Sequence, residues 1–143
     1  MKIPIYQVDA FTSEVFKGNP AAVCPLKEWL PDEVMQKIAQ ENNLSETAFF
    51  INKEDSFDIR WFTPVSELDL AGHPTLATAH VIIRELNLKR DKIIFNTKIG
   101  DILTVTIEKD LFVMNFPSRP PEVDNNIELV SQALRKRPLA LLR

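Results

Sequence analysis

The stretch Glu41–Phe50, which reads ENNLSETAFF, places a carboxylate at the edge of an apolar segment. Glu46 lies between Leu44 and a run that begins at Ala48, so its side chain is expected to be partly removed from water. Such burial disfavours the ionised form and raises the pKa of a carboxyl group, and a carboxyl group of this kind is a candidate for acid/base chemistry. The alternative is a solvated residue at a strand end, or the third position of a helix cap after Asn43.

A histidine lies in the segment AGHP, directly before an apolar run typical of a buried helix. The first backbone N–H groups of a helix lack partners within the helix, and together with the helix dipole they favour an anion. His73 is therefore a candidate for orienting an anionic substrate, although a structural histidine that bonds a carbonyl fits the spacing equally well. His80 follows two turns later, but a histidine pair without carboxylates is a weak metal signal. We expect His80 to be a hydrogen-bonded core residue.

One further polar residue is a candidate for the site. Asn19 belongs to the tripeptide GNP, which is strong turn chemistry, so it either approaches the site or is a plain turn residue. The single cysteine, Cys24, excludes an internal disulfide and fits a reducing cytoplasm. The sequence has no glycine-rich phosphate loop and no cysteine–histidine metal spacing, so we expect no cofactor and no metal.

The elements that must position these residues form a strand-rich pattern around one helix. The helix predicted at about residues 73–87 has almost no solvent-compatible face, which indicates burial on most sides. A second, amphipathic helix is predicted from Pro31 to Asn42 or Asn43. Strands are predicted at about residues 3–11, 21–26, 46–52, 57–64, 92–97, 101–108 and 111–116.

This pattern predicts an α+β fold. The strands on either side of residues 53–56 are expected to form a hairpin. The chain lacks the regular alternation of strands and helices that builds a parallel nucleotide-binding sheet. The predicted architecture is therefore an antiparallel β-roll or barrel wrapped around a central helix.

The composition is that of an ordinary soluble globular protein and argues against several partners. The chain has 143 residues, of which 45% are hydrophobic and 26% charged, with a net charge of −3. This length fits one domain, or one domain and the start of another. The charge provides no basic surface for nucleic acid or an anionic membrane, and no apolar run approaches the roughly 18–20 residues of a membrane helix. We expect a cytoplasmic protein.

The character of the chain changes after the proline-rich segment NFPSRPPE. It continues with a short amphipathic helix in NNIELVSQALRKR and ends in PLALLR, which reads as the beginning of a strand. We therefore predict an N-terminal domain at residues 1–117, and a linker with the start of a truncated second domain at 118–143. The last strand is expected to lack a partner within the chain unless it returns to the first domain.

Three motifs occur in the order VDAFTSEVFKGNPAAV, NNLSETAFF and RWFTPVSELDLAGHPTLATAHV. Together they resemble the N-terminal half of the phenazine-biosynthesis-like isomerase family, over a span from Val8 to about Pro117. That family is similar in fold to diaminopimelate epimerase. Its members have two pseudo-symmetric halves, each a β-roll around a central helix, with the active site in the cleft between them. Most of the second half is absent from this sequence.

The resemblance implies a cofactor-independent isomerase that moves a proton on a small carboxylate such as a dihydro-hydroxyanthranilate. Glu46, in the segment LSET, matches the family's catalytic acid/base. Gly72 and His73 match substrate-binding groups at the helix start, and Asn19 matches the family's first loop. Family members are often dimeric, which, with the unpaired strand, implies a homodimer or larger oligomer.

One difference from the related enzymes restricts the reactions that this chain is expected to catalyse. Epimerases and racemases with this fold use two thiols, one of them just before the glycine at the helix start. Here Ala71 occupies that position, and Cys24 belongs to a distant strand. The reagents of a two-thiol racemisation are missing, so we do not expect an amino-acid racemase.

Three hypotheses about activity remain open, because the family's cleft needs groups from a second half. The first is that the chain is a shortened isomerase with little activity on its own. The second is that two copies associate and form a cleft that contains two Glu46 side chains. The third is a non-catalytic binding or interaction module that keeps the fold. An uncovered cleft face would be apolar, which favours association in each case.

Overall fold

The computed structural model describes residues 2–109 and 111–142 and contains one eight-stranded sheet with three α-helices. In chain order the elements are β1 (Tyr6–Ala10), β2 (Asn19–Leu26), α1 (Asp32–Asn42), β3 (Glu46–Asn52), β4 (Phe57–Phe62), β5 (Glu67–Leu68), α2 (Gly72–His80), β6 (Lys92–Thr97), β7 (Ile102–Glu108), β8 (Leu111–Asn115) and α3 (Ile127–Leu134). The α+β class is confirmed. No helix in this described part of the chain is long and apolar enough to cross a membrane.

Helix α2 is buried on the concave face of the sheet, as its sequence predicts. It packs against β1, β2 and β3 on one side and against β8 on the other, so the sheet curls around it as a half-barrel. The helix continues as one π-helical turn over Val81–Glu85. Two buried hydroxyls, those of Thr75 and Thr78, donate to carbonyl oxygens one turn earlier at 2.6 and 2.7 Å. These bonds let polar side chains lie in the core without loss of hydrogen bonding.

The middle strands are buried on both faces, which explains their unbroken apolar runs. On the concave face, side chains such as Ala48, Phe50 and Trp61 belong to the core around α2. On the convex face, Phe49 and Phe62 pack with helix α1. Because neighbouring residues of a strand point to opposite faces, both helices are covered by the same strands.

Two strand pairings differ from the predicted antiparallel ring. The order is β1-β2-β3-β4-β6-β7-β8, with β5 also pairing with β4. Strands β2 and β3 are parallel, as are β4 and β6, and the other pairs are antiparallel. The reason is that α1 connects β2 to β3, and α2 lies between β4 and β6. A helix that crosses over the sheet brings the chain back to the end at which the previous strand began. The next strand therefore runs parallel to that strand. The predicted hairpin of β3 and β4 is confirmed.

A buried arginine fixes the short strand that leads into α2. Arg60 of β4 donates to both carboxylate oxygens of Glu67 at 2.6 and 2.8 Å, and to Asp32 at the start of α1 at 2.8 Å. Its guanidinium also lies 5.4 Å from the ring of Trp29. Lys98 adds a contact of 2.7 Å to Glu67. Bidentate pairing of this kind restricts geometry as well as adding energy, so β5 is held in place four residues before α2 begins.

The tail folds back on itself. After α3, the chain returns so that Leu142 forms an antiparallel bridge with Val123, and the Asp124 N–H donates to the Leu141 carbonyl at 3.0 Å. The expectation that PLALLR lacks a partner within the chain is therefore wrong for its described part, because α3 reverses the chain direction. Arg143 lies outside the described residues. The division at residues 1–117 and 118–143 stays a prediction.

Replacement of Glu67 by glutamine should destabilise the protein. Glu67→Gln leaves the buried Arg60 without its bidentate carboxylate, and we expect the free energy of unfolding to fall by about 1–3 kcal/mol at neutral pH. Urea unfolding monitored by tryptophan fluorescence measures this change. The matched control is Glu54→Gln at an exposed position, which should leave the stability unchanged.

The difference between the wild type and Glu67→Gln should shrink in acid. Partial burial raises the pKa of Glu67, but hydrogen bonds from Arg60 and Lys98 outweigh it and hold the pKa below the ordinary value of 4.5. The stabilisation is therefore complete above pH 4.5 and is lost as the pH falls through the lowered pKa. An equal difference at about pH 7 and about pH 3 would contradict the ion pair as its cause.

Candidate functional site

The two titratable residues selected from the sequence meet in the structure. Glu46 Oε2 lies 3.1 Å from His73 Nε2, and the two side chains are 18% and 9% exposed. The two side chains are therefore in direct contact. Because the residues are 27 positions apart in the chain (73 − 46 = 27), only the tertiary fold brings them together.

Local structure explains why each side chain reaches this position. Glu46 is the first residue of β3, on the same face as Ala48 and Phe50, and therefore faces the central helix. His73 is the second residue of α2, whose approach is set by the Arg60–Glu67 ion pair. The Glu46 carboxylate therefore lies at the first residue of buried strand β3, beside the start of buried helix α2.

The contact between these side chains leaves hydrogen-bonding capacity unused. Glu46 Oε2 and His73 Nε2 are both buried, and among the described residues neither has a well-directed hydrogen bond. The 3.1 Å approach is therefore an ion-pair contact if the imidazole is protonated, without the alignment of a hydrogen bond. Buried polar atoms without partners are uncommon in native proteins, and these two remain available for a hydrogen bond to a ligand.

The start of α2 has the features of an anion site. No side chain caps this helix, its first turn contains no acidic residue, and Pro74 contributes no N–H. The N–H groups of Gly72 and His73 therefore carry the positive end of the helix dipole. A Cβ atom built on Gly72 would meet nothing within 4 Å, so the space beside this glycine is open.

Asn19 lies at the same end of the sheet as Glu46 and contacts Ser45, a residue that the sequence analysis did not select. Ser45 lies one residue before Glu46, and its hydroxyl lies 3.2 Å from both Asn19 Oδ1 and the Pro20 carbonyl. The parallel register places Ala21 opposite Glu46, so the first residues of β2 and β3 are adjacent. The only sequence signal for Ser45 was its place in the segment LSET.

The cysteine and the second histidine lie apart from this site. Cys24 is on the convex face against α1, and burial raises the pKa of its thiol to about 12, so it is not a reagent for the site. His80 is only half-buried, and its ring packs edge-on against Phe112 at 6.0 Å, which corrects the expectation of a hydrogen-bonded core histidine. Within residues 2–109 and 111–142 no three acidic, histidine or cysteine side chains form a group that could hold a metal ion.

The family model described as phenazine biosynthesis-like protein matches residues 8–136. A Pseudomonas aeruginosa protein named as an uncharacterized isomerase is 52% identical over 122 residues, which are 85% of this chain and 47% of the relative. The human phenazine biosynthesis-like domain-containing protein is 39% identical over 145 aligned positions, which cover 94% of this chain and 50% of the relative. The chain thus spans about half the length of the curated relatives it matches.

Solved structures share the fold. A phenazine biosynthesis protein of the PhzF family from Enterococcus faecalis matches with a TM-score of 0.80 and 45% identity, covering 98% of this chain and 54% of that one. A structure described as a predicted epimerase from Pseudomonas aeruginosa matches with a TM-score of 0.70 at 22% identity, covering 95% and 51%. The second likeness concerns the fold alone, and it agrees with the epimerase-like architecture predicted from the sequence.

Two glycine substitutions should differ sharply in their effect on folding. Gly72→Ala adds a methyl group to open space at the start of a helix, and we expect the free energy of unfolding to stay within about 1 kcal/mol of the wild type. Gly18→Ala adds a methyl group at a residue whose φ is +82°. The added carbon would lie 2.4 Å from the carbonyl oxygen of Ala10. This variant should be destabilised by about 1–3 kcal/mol. Urea unfolding measures both, and a large loss in Gly72→Ala would mean that Gly72 serves folding.

Proposed function

The chain belongs to the phenazine biosynthesis-like family, and from this premise we propose that it is a cofactor-independent isomerase that moves a proton on a small carboxylate substrate. The observation that carries the proposal is the buried approach of Glu46 Oε2 to His73 Nε2 at the uncapped start of α2. A carboxyl group that transfers protons needs contact with substrate and an unused lone pair. Glu46 has that lone pair, because its buried oxygen lacks a directed hydrogen bond among the described residues.

In the proposed reaction Glu46 is both the base and the acid. Its ionised form removes a proton from one carbon of the substrate, and the electron pair of that bond moves into the adjacent conjugated system. The protonated carboxyl then returns the proton to a second carbon, so no oxidant, reductant or cofactor is consumed. Such a rearrangement needs only one carboxyl group that reaches both carbons of the substrate.

The substrate's own carboxylate would bind where the helix begins. The N–H groups of Gly72 and His73 provide donors and the positive end of the helix dipole. The open space beside Gly72 admits a ligand group close to the backbone. His73 then lies between the bound anion and Glu46, where its imidazole orients the substrate. Asn19 would contribute from the start of β2 through its contact with Ser45.

A non-catalytic binding module is the second candidate, because the chain spans about half the length of its curated relatives. In that case the anion site and Glu46 would bind a small carboxylate without converting it. Binding without turnover distinguishes this function from the isomerase. A cytoplasmic location and a substrate of the dihydro-hydroxyanthranilate type stay predictions.

Glu46→Gln should abolish proton transfer while it preserves the fold. Glutamine has nearly the same shape, but it cannot accept and return a proton, so we expect the rate to fall by at least about 100-fold. Deuterium incorporation from D₂O into a dihydro-hydroxyanthranilate, followed by NMR, measures the step. The control is Glu41→Gln at an exposed position of α1, which should keep the wild-type rate.

Two outcomes would decide against the reaction. Turnover that persists in Glu46→Gln would remove this residue from the chemistry. Binding of the substrate without deuterium incorporation in the wild type would favour the binding module instead.

We also propose that the chain associates as a homodimer or larger oligomer. A groove of about 770 Å³ lies between β1, β8 and α2 and is lined mainly by apolar side chains. Phe11 and Leu111 at its rim are 70% and 71% exposed. The outer edges of β1 and β8 carry backbone groups that pair with no other strand of the described sheet. Unpaired edges beside apolar side chains favour a second copy.

Light scattering at micromolar concentration should give a mass above the 16.4 kDa of one chain. Leu111→Lys should return the mass to that of a monomer, because it places a charge at the rim of the groove. Ile99→Lys, at an exposed position away from the groove, is the control and should leave the mass unchanged. A wild-type mass of one chain would contradict the association.

A further inference from the structure

We infer that Trp61 is a third polar member of the site, and that its indole N–H donates a hydrogen bond to an oxygen atom of the bound substrate. The inference rests on the proposed function, because it assigns a specificity-determining residue to the same substrate. Trp61 belongs to the third motif, but the sequence analysis assigned it no role; it lies in β4 and is almost completely buried in the core around α2.

The starting observation is a set of three buried atoms without hydrogen-bond partners. Within the described part of the chain these atoms are Glu46 Oε2, His73 Nε2 and Trp61 Nε1. Two of them form the candidate site. A buried indole N–H normally has an acceptor, and leaving it without one is unfavourable. The described residues supply no acceptor for the Trp61 indole N–H, which leaves this donor available to an oxygen atom of a ligand.

The strand register places Trp61 beside the site. Trp61 lies opposite Ala48 in the antiparallel pair of β3 and β4, and Glu46 precedes Ala48 by two residues on the same face. Such diagonal neighbours are within reach of aromatic and long side chains. On its other side Trp61 lies opposite Leu68 of β5, the strand that leads to Gly72 and His73. Trp61 is therefore flanked by both segments that supply the site.

The chemistry of the indole restricts what it recognises. It is an uncharged donor that cannot accept a hydrogen bond, so its partner is a carboxylate, carbonyl or hydroxyl oxygen. Trp61 is the diagonal neighbour of Glu46 across the β3–β4 pair, so a substrate that contacts Glu46 comes within reach of the indole. A substrate of this site therefore carries an acceptor oxygen close to the carbon that exchanges its proton. A hydrocarbon of the same shape would leave the indole unpaired and bind weakly.

The test uses the indole signals of the full chain in ¹H–¹⁵N NMR, with 2-aminobenzoate as the probe. The protein has two tryptophans, and Trp29→Phe assigns the remaining indole signal to Trp61. We expect titration with the probe to move the Trp61 indole proton downfield and to leave the Trp29 signal in place. Trp29 stacks with Arg60, on the strand face opposite to Trp61, and reports on any general effect.

A pair of matched substitutions measures the contribution to affinity. Trp61→Phe keeps an aromatic ring and removes the donor, and we expect the dissociation constant of the probe to rise about tenfold. Trp29→Phe should leave the dissociation constant unchanged. If Trp61→Phe does not fold, the indole shift in the wild type decides the inference by itself.

The outcomes separate this inference from the proposed function. Probe binding that is weakened by Gly72→Ala but leaves the Trp61 indole signal unmoved would overturn the role of Trp61 and leave the anion site standing. An indole signal that stays at the same downfield position with and without probe would mean an enclosed water as the partner, and would also overturn it. Failure of the wild type to bind the probe would count against both.

Discussion

The fold depends on the burial of one helix that has no side suited to water. Helix α2 consists mainly of small and apolar residues, with a histidine near each end and two threonines whose hydroxyls bond within the helix. Such a helix is stable only if neighbouring elements cover it on most sides. The sheet meets this requirement by curling until β1, β3 and β8 all contact it. The open end of the half-barrel and the start of the helix then lie together.

This arrangement places polar groups where the hydrophobic core ends. Strand β3 is apolar from Ala48 onward, so its first residue is the position at which a carboxylate meets the boundary of the core. The helix start is likewise the one part of α2 with unpaired backbone donors. Glu46 and His73 meet at this boundary with their hydrogen-bonding capacity unused among the described residues. The polar site therefore lies where the apolar core ends, because β3 and α2 both begin at that boundary.

The strongest electrostatic cluster lies outside the site and supports it. Arg60 joins β4, β5 and the start of α1, and carboxylates on both sides raise the pKa of its guanidinium further above the ordinary range. The Arg60–Glu67 pair is bidentate and mostly buried, so it restricts geometry more than an exposed ion pair would. Its effect is to fix β5, and hence the direction in which the chain enters α2. The charge cluster and the candidate site thus lie on opposite faces of the same sheet, and among the described residues only the charge cluster has its polar groups paired.

The sequence by itself determined the elements and the candidate residues. Apolar periodicity located α1, α2 and most strands, and the buried α2 was predicted because none of its faces is polar. Glu46, His73, Gly72 and Asn19 were selected from residue type, motif and resemblance. Tertiary structure decided the rest. The parallel pairs β2–β3 and β4–β6 depend on where helices cross the sheet, and the Glu46–His73 distance depends on that register. The unpaired indole of Trp61 had no sequence signal, because hydrogen-bond satisfaction is a property of the packed neighbours and not of the chain order.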